Sequence, residues 1–279
     1  MRDKVKIAAV QMDPKITKNS ENLERIVFET RGAAKNGADL IVFPECALSG
    51  YVFSSREEAI PFAESIPGVS TERLATCCQE LGVYVVYGLL ERADDKCYNA
   101  AVLVGPEGFI GKYRKIHLPF LGIDRFIDAG NEPFQVYKTS IGNIGIQICY
   151  DCNFPESTRI MALLEADIMA LPTNWPQGRE RIVNYVVNTR AYENRVHLVA
   201  ADRVGNERGA KFLGHSKIVS ASGDTLVEAS GDNEETIYAE VSLAEARQKH
   251  IVIKAGEFEV DYIQDRRPEL YGELTKKRS

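Results

Sequence analysis

The sequence predicts an α/β protein of two stacked sheets with helices against their outer faces. Three observations carry this. Apolar, β-branched runs at 5–12 (VKIAAVQM) and 38–43 (ADLIVF) read as strands buried on both faces. Between them, Leu23, Ile26, Val27, Thr30 and Ala34 recur at helical spacing, and a strand–helix–strand unit is the mark of a parallel pair. Later hairpin patterns fit two stacked sheets better than one open sheet.

Each element has its own signal. Asn19 or Ser20 can cap the first helix and Gly37 ends it, while Pro44 stops the second strand. A helix over 71–81 stops at Gly82, and 83–91 follows as a strand. Residues 97–104 pair with it or with the strand beyond the Pro106-Glu107-Gly108 turn. Residues 134–138 and 143–149 form a hairpin turning at Ile141-Gly142. Helix 157–165, strand 167–171, long helix 181–195 and strand 197–204 come next. Residues 216–220 and 237–241 close the sheets, with Gly223-Asp224 as the turn between them. From about 253 the chain is polar, carries Arg266-Arg267-Pro268 and Lys276-Lys277-Arg278, and reads as a tail extended over the surface or against a partner. No repeat, low-complexity tract or linker divides the chain, so 1–279 reads as a single domain.

Composition narrows the function. Of 279 residues, 44% are hydrophobic and 27% charged, ordinary globular usage that argues against disorder. A net charge of −6 without a basic run argues against nucleic acid as a partner. No apolar stretch nears the ~18 residues of a membrane span, so no membrane partner is expected. The first residues, Met1-Arg2-Asp3-Lys4, lead straight into a strand without the features of a signal peptide. Six cysteines, at 46, 77, 78, 97, 149 and 152, lack the spacing of a disulfide scaffold. Reduced thiols and a cytoplasmic location are the expectation.

Three polar residues stand at the ends of apolar segments, where a rigid sheet can present them. Glu45 follows IVFP, Lys115 lies in GKYRKIHLP, and Cys149 closes NIGIQIC before YDCNFPE. The turn after Cys149, with Pro155 in the first turn of a helix, could set the thiol beside a helix N-terminus that favours a thiolate. Singly, each has a plainer explanation: packing for the cysteine, solvated surface for the glutamate and lysine. Together, a thiol, a carboxylate and an ammonium group are the minimum parts for acyl transfer without histidine or metal.

FPECALSGY, KYRKIHLP and ICYDCNFPE resemble, in order and spacing, the three signature segments of the nitrilase superfamily of carbon–nitrogen hydrolases. The resemblance runs from Ile7 to about Val241 and takes in LPTNW (171–175), RAYEN (190–194) and Gly214-His215-Ser216. It implies an α-β-β-α sandwich, commonly dimerised. It also implies Glu45 as general base, Cys149 as the nucleophile that forms a thioester, and Lys115 with the Tyr150 backbone N–H as oxyanion donors. Many members carry a second glutamate soon after the lysine. Here none occurs between Lys115 and Gly130, and Asp124 is the nearest acid, one methylene shorter. Asp124 as an accessory acid stands against Asp124 pairing with Arg125 or solvent.

Other motifs carry less. Cys149 and Cys152 form a C-x-x-C, but there is no second pair and the four histidines are scattered, so no metal is expected. Cys152 reads as packing, Cys77 and Cys78 as core, and Cys46 as packing or pocket wall. Asn174 and Trp175 border the pocket, or the tryptophan simply packs. Arg190 and Asn194 are neighbours on one helix, with structural hydrogen bonding at least as good an explanation as catalysis. The reading is a cofactor-free thiol hydrolase of a small linear amide, with N-carbamoyl compounds next and nitriles third. It is expected to be a homodimer or higher homo-oligomer. The competing class is a redox dithiol or binding protein using Cys149 and Cys152.

Overall fold

The computed structural model describes residues 3–277. Met1, Arg2, Arg278 and Ser279, and the parts of the terminal readings that fall on them, lie outside the described residues. In chain order the strands are β1 (Lys4–Gln11), β2 (Leu40–Val42), β3 (Tyr84–Ala93), β4 (Lys96–Gly105), β5 (Gly108–Arg114), β6 (Val136–Thr139), β7 (Gly142–Ile146), β8 (Ile168–Thr173) and β9 (His197–Asp202). They continue with β10 (Asn206–Glu207), β11 (Ala210–Lys211), β12 (Lys217–Val219), β13 (Thr225–Glu228), β14 (Glu235–Ser242), β15 (His250–Lys254) and β16 (Phe258–Asp261). The helices are α1 (Asn19–Lys35), α2 (Arg56–Ala59), α3 (Val69–Leu81), α4 (Pro155–Leu163), α5 (Val187–Asn194) and α6 (Leu243–Arg247).

Two six-stranded sheets result, ordered β14-β1-β2-β3-β4-β5 and β13-β12-β9-β8-β7-β6. In each, three central parallel strands (β1-β2-β3 and β7-β8-β9) are flanked by antiparallel ones. The period-two alternation of β1 shows the layers. Val5, Ile7 and Ala9 face the cluster between the sheets, with Ile144, Ile146 and Leu198 among its members. Ala8 and Val10 face the outer cluster, where Leu23, Ile26 and Val27 of α1 and Leu74, Cys77 and Cys78 of α3 pack. Met161, Val187 and Ala191 bring α4 and α5 onto the second sheet. The architecture is the expected helix–sheet–sheet–helix sandwich.

Several local expectations need correction. Asn19 does not cap α1: it is the first helical residue, its amide donates to Phe62 O at 2.9 Å, and no side chain caps the end. The Gly223-Asp224 turn does not lead to 237–241. It leads to β13, an exposed edge strand paired with β12, and the chain then crosses to the other sheet, where β14 pairs with β1. The long helix over 181–195 begins with a wider π-helical turn, Ile182–Val186, before α5. Gly82 takes φ 69° at the end of α3, the left-handed stop its sequence position suggests. Beyond α6 the polar tail folds into the β15–β16 hairpin, and Tyr262 O accepts from Arg159 on α4 at 3.2 Å. Among the described residues no helix is long and apolar enough to cross a membrane.

Candidate active site

Glu45, Lys115 and Cys149 each leave a strand end on the same side of the sandwich core. β2 stops at Val42, and the turn that follows lies flat on Gly88 of β3: Gly88 N donates to Pro44 O at 3.2 Å and Leu48 N to Gly88 O at 3.1 Å. A Cβ on Gly88 would stand 2.4 Å from Cys46 N and 2.7 Å from Glu45 Cα, so only glycine permits this approach. Lys115 is the first residue past β5, its N–H donating to Asn99 O on β4 at 2.8 Å.

Cys149 lies past the end of β7 rather than on it. It opens a short 3-10 turn, Cys149–Asn153, with φ 46°, a conformation a non-glycine residue holds only when its surroundings enforce it. Asp151 supplies that enforcement. Its carboxylate accepts from Ile148 N at 3.0 Å, Tyr113 OH at 2.9 Å and His117 N at 3.1 Å, and lies 2.7 Å from His117 Nδ1. The cysteine turn is thereby tied to the 113–117 segment that carries Lys115. Arg190 braces the other side, donating from Nε to Cys152 O at 2.9 Å.

Behind the thiol is a closed charge cluster. Lys115 Nζ donates to Glu45 Oε1 at 2.6 Å and to Asp124 Oδ2 at 2.5 Å, with all three side chains 0% exposed. Asn99 Nδ2 bridges the same two carboxylates, at 2.7 Å to Glu45 Oε1 and 2.9 Å to Asp124 Oδ1. Tyr51 OH donates to Asp124 Oδ2 at 2.9 Å. One cation against two acids sets the titration. Burial pushes the Glu45 carboxyl up; Lys115 pulls it down and Asp124 pushes it further up. For Lys115, burial works against the charged form, but Asp124 and Glu45 outweigh it and the ammonium is held well above its usual range.

The Cys149 thiol is pushed well above its ordinary value, by burial first and the Glu45 carboxylate second; Lys115 and the Asn174 N–H pull the other way by less. A thiolate-favouring helix end is therefore not what governs this sulfur. α4 begins only at Pro155, and the resting group is a neutral thiol. Glu45 Oε2 is buried and has no hydrogen-bond partner among the described residues, leaving one carboxylate oxygen open as an acceptor.

Cys149 opens on a cavity of about 260 Å³ whose wall includes Phe120, Tyr150, Asn153, Trp175 and Arg179. A larger groove of about 710 Å³, lined by Lys138, Asp167 and Arg247 among others, lies elsewhere and touches none of the expected site residues. A thiol facing a small cavity, with a carboxylate and an ammonium behind it, is an arrangement suited to acyl transfer.

The carbon-nitrogen hydrolase family model matches residues 6–250. The chain belongs to this family. It is 42% identical over 271 residues to a nitrilase from Pyrococcus abyssi, covering 96% of this chain and 99% of that one. It is 32% identical to an omega-amidase from Xenopus tropicalis, over 82% of this chain and 87% of that one. Its fold matches a carbon-nitrogen hydrolase from Helicobacter pylori G27 with a TM-score of 0.86 at 25% identity, covering 99% of both chains. The protein is thus an enzyme, a carbon–nitrogen hydrolase.

In this hydrolase the residues expected from sequence divide into two groups. Glu45, Lys115, Asp124 and Cys149 come together, and Tyr150 and Trp175 border the cavity. Asp124 pairs with neither Arg125 nor solvent; Arg125 Nε turns to Gly122 O at 3.0 Å, and the short acid reaches Lys115 because its own 3-10 turn is packed under Tyr51. The Asn174 side chain is buried, its amide donating to Glu45 O at 2.9 Å, while its backbone N–H is directed at the Cys149 sulfur. The backbone at Trp175 is held from behind, its main-chain N–H donating to Asp202 Oδ1 at 2.9 Å. Arg190 and Asn194 serve structure, Asn194 Nδ2 donating to Arg190 O at 3.0 Å.

Cys152 is fully buried in the core, its thiol pushed to about 12 by burial, and Cys46 packs with Sγ 3.5 Å from Asn99 Oδ1. Among the described residues no cluster of His, Cys, Asp or Glu is arranged to hold a metal. Sequence reasoning missed Asn99, Tyr51 and Asp151. Asn99 had a signal, a lone amide inside the apolar run CYNAAVLV, and Tyr51 and Asp151 stood inside motifs read for their neighbours.

Proposed function

We propose that this carbon–nitrogen hydrolase cleaves the C–N bond of a small linear amide through a thioester on Cys149. The observation that carries the reading is the fully buried Lys115 ammonium bridging Glu45 and Asp124 behind a neutral thiol that faces a cavity. Glu45, its pKa raised and Oε2 open, takes the thiol proton as Sγ attacks the carbonyl carbon. General-base attack suits a thiol held above its ordinary pKa better than a preformed thiolate does. Lys115 Nζ and the Tyr150 N–H stabilise the oxyanion. The tetrahedral species collapses, the C–N bond breaks, and protonated Glu45 gives its proton to the departing nitrogen. Water then attacks the thioester with Glu45 again as base, the acid product leaves, and the thiol is restored. Asp124, Asn99 and Tyr51 keep Lys115 charged and Glu45 oriented.

Amides come first, N-carbamoyl compounds second and nitriles third; relatives named omega-amidase and nitrilase are compatible with this order. No redox use of Cys149 and Cys152 is proposed, because Cys152 is sealed in hydrocarbon. The test is ammonia release from a panel of short amides, N-carbamoyl compounds and nitriles, with intact-mass detection of an acyl adduct on Cys149. Turnover should vanish in Cys149→Ala. A Cys149→Ala protein as active as its parent removes the nucleophile assignment.

A further inference from the structure

Tyr51, whose hydroxyl braces Asp124 behind Lys115, is itself held by a carboxylate from the β10–β11 hairpin. Glu207 of β10 is buried, and its Oε1 accepts from two successive backbone N–H groups, Tyr51 N at 2.8 Å and Val52 N at 2.6 Å. Two such groups turned to one point form a concavity that suits an anion. The other oxygen, Oε2, accepts from Arg203 Nη1 at 2.8 Å. Arg203 is fixed in turn. Its Nη2 donates to Asp13 Oδ1 at 2.7 Å and to Pro14 O at 3.1 Å, and its guanidinium lies 4.4 Å from the centre of the Phe212 ring. The other side of Tyr51 is equally constrained. Its carbonyl accepts from Ile123 N at 2.9 Å, and its ring is so close to Gly122 that a Cβ there would stand 2.3 Å from Tyr51 Cε1. Backbone and ring therefore move together, and with them the 3-10 turn Gly122–Arg125 that carries Asp124.

We propose that Glu207 is a positioning residue for the hydrolytic reaction: it sets Tyr51, and through the Tyr51 hydroxyl and Asp124 it sets Lys115 Nζ where the oxyanion develops. The inference rests on the proposed role of Lys115 as an oxyanion donor. Two physical arguments support it. Docking of the hairpin does not depend on Glu207, because Arg208 supplies it separately, donating to Glu58 Oε1 at 2.5 Å and to Val52 O at 3.2 Å. A buried ion pair also adds little net stability over apolar side chains of similar volume; what the Arg203–Glu207 pair adds is a fixed direction for its hydrogen bonds. Fixed direction matters at this place, since a displacement of ~1 Å at the reacting groups costs about 10²-fold in rate.

The test is a kinetic cycle with propionamide as substrate. Glu207→Gln keeps the volume but puts an NH2 where one oxygen stood, so a donor faces either Arg203 or the two backbone N–H groups. It should lower kcat by about 10- to 100-fold, the range for losing a charge-assisted hydrogen bond, and leave KM within about twofold. In Tyr51→Phe the link to Asp124 is already cut, so there the same substitution should cost less than about threefold. Glu58→Gln loosens the hairpin without touching Glu207 and should leave kcat within about twofold. Glu207→Asp keeps a charge for Arg203 but is one methylene short of the two N–H groups, and gives the same readout if the glutamine variant does not fold. A second arm needs no turnover: in a crystal structure of the folded Glu207 variant, Tyr51 Oη should lie beyond hydrogen-bond distance of Asp124 Oδ2. An unchanged kcat, losses that multiply in the Tyr51→Phe background, an equal loss in Glu58→Gln, or an undisturbed Tyr51–Asp124 contact overturns the proposal. Lys115→Met run alongside separates the two ideas. If it keeps its rate, the donor role itself fails; if it loses its rate and the Glu207 variant does not, only the positioning role falls.

Discussion

Asp124 Oδ2 stands 2.5 Å from Lys115 Nζ in a space that neither side chain shares with solvent. A buried carboxylate and ammonium at that distance depend on each other, because removing either leaves the other charge without compensation. Asp124→Ala should therefore cost about 3–5 kcal/mol of stability, read as a shift in urea midpoint. Asp124→Glu should also lose about 1–3 kcal/mol, since the added methylene must be fitted into a buried, fully hydrogen-bonded site. A glutamate variant as stable as the parent would show that the shorter acid is incidental.

Lys115→Met should lower kcat by at least about two orders of magnitude, the scale of losing one oxyanion donor. It also leaves Glu45 and Asp124 buried together without a cation. Without Lys115 to pull it down, the buried Glu45 carboxyl titrates above its unfolded value in the folded variant, so its protonated form is favoured there. The stability this brings is complete below the unfolded pKa near ~4 and is lost as pH rises through the folded value. The variant should be closest to the parent in acid and weakest at neutral pH. Urea titrations at both ends of that window check it; a deficit independent of pH would speak against the charge cluster.

The pH profile follows from Glu45. Burial raises its pKa, and as the proposed base it acts only when ionised, so kcat/KM should rise with pH along a limb displaced above the ordinary glutamate value of ~4.3. Asp124 contributes to that elevation by like-charge repulsion, so Asp124→Asn should move the limb to lower pH. The Cys149 thiol lies well above its usual value, so no further rise is expected across the ordinary thiol range near ~8.5. A steep gain there would indicate a reactive thiolate instead.

Gly88→Ala tests the approach of β3 to the Glu45 turn. The added Cβ would meet Cys46 N at 2.4 Å and Pro44 O at 2.7 Å, all rigid backbone. A stability loss of about 1–3 kcal/mol is expected. A displacement of Glu45 by even ~1 Å should cost about 10²-fold in kcat. A melting curve and kcat measured together check this; unchanged kcat would mean that the turn absorbs the methyl without moving the acid.

Alkylation distinguishes the cysteines. Cys149 borders a cavity, whereas Cys46, Cys77, Cys78, Cys97 and Cys152 are 0% exposed. Iodoacetamide on the native protein should modify Cys149 first, slowly because its thiol is neutral, and peptide mapping should find one adduct. Faster labelling of Cys152 would revive the dithiol alternative.

The layers could be read from the order of residues alone, and so could Glu45, Lys115 and Cys149 as the groups proposed to react. Strands such as β1 are apolar on both faces, α1 and α3 carry one apolar stripe each, and that pattern admits few arrangements besides helices outside two sheets. Glu45, Lys115 and Cys149 were legible because each ends an apolar segment within a distinctive motif. Only the tertiary structure decided which polar groups serve them. Asn99 on β4, Tyr51 after β2 and Asp124 beyond β5 are far apart in the chain and meet only because β2 to β5 lie in one sheet and the loops fold over its edge. The titration of the thiol was likewise out of reach: its neighbours along the chain suggest a helix end, whereas burial and the Glu45 carboxylate from the turn after β2 push it up. Local pattern follows from which side chains are apolar and how often they recur. Charge, by contrast, depends on what surrounds a group in three dimensions, and no run of residues states that.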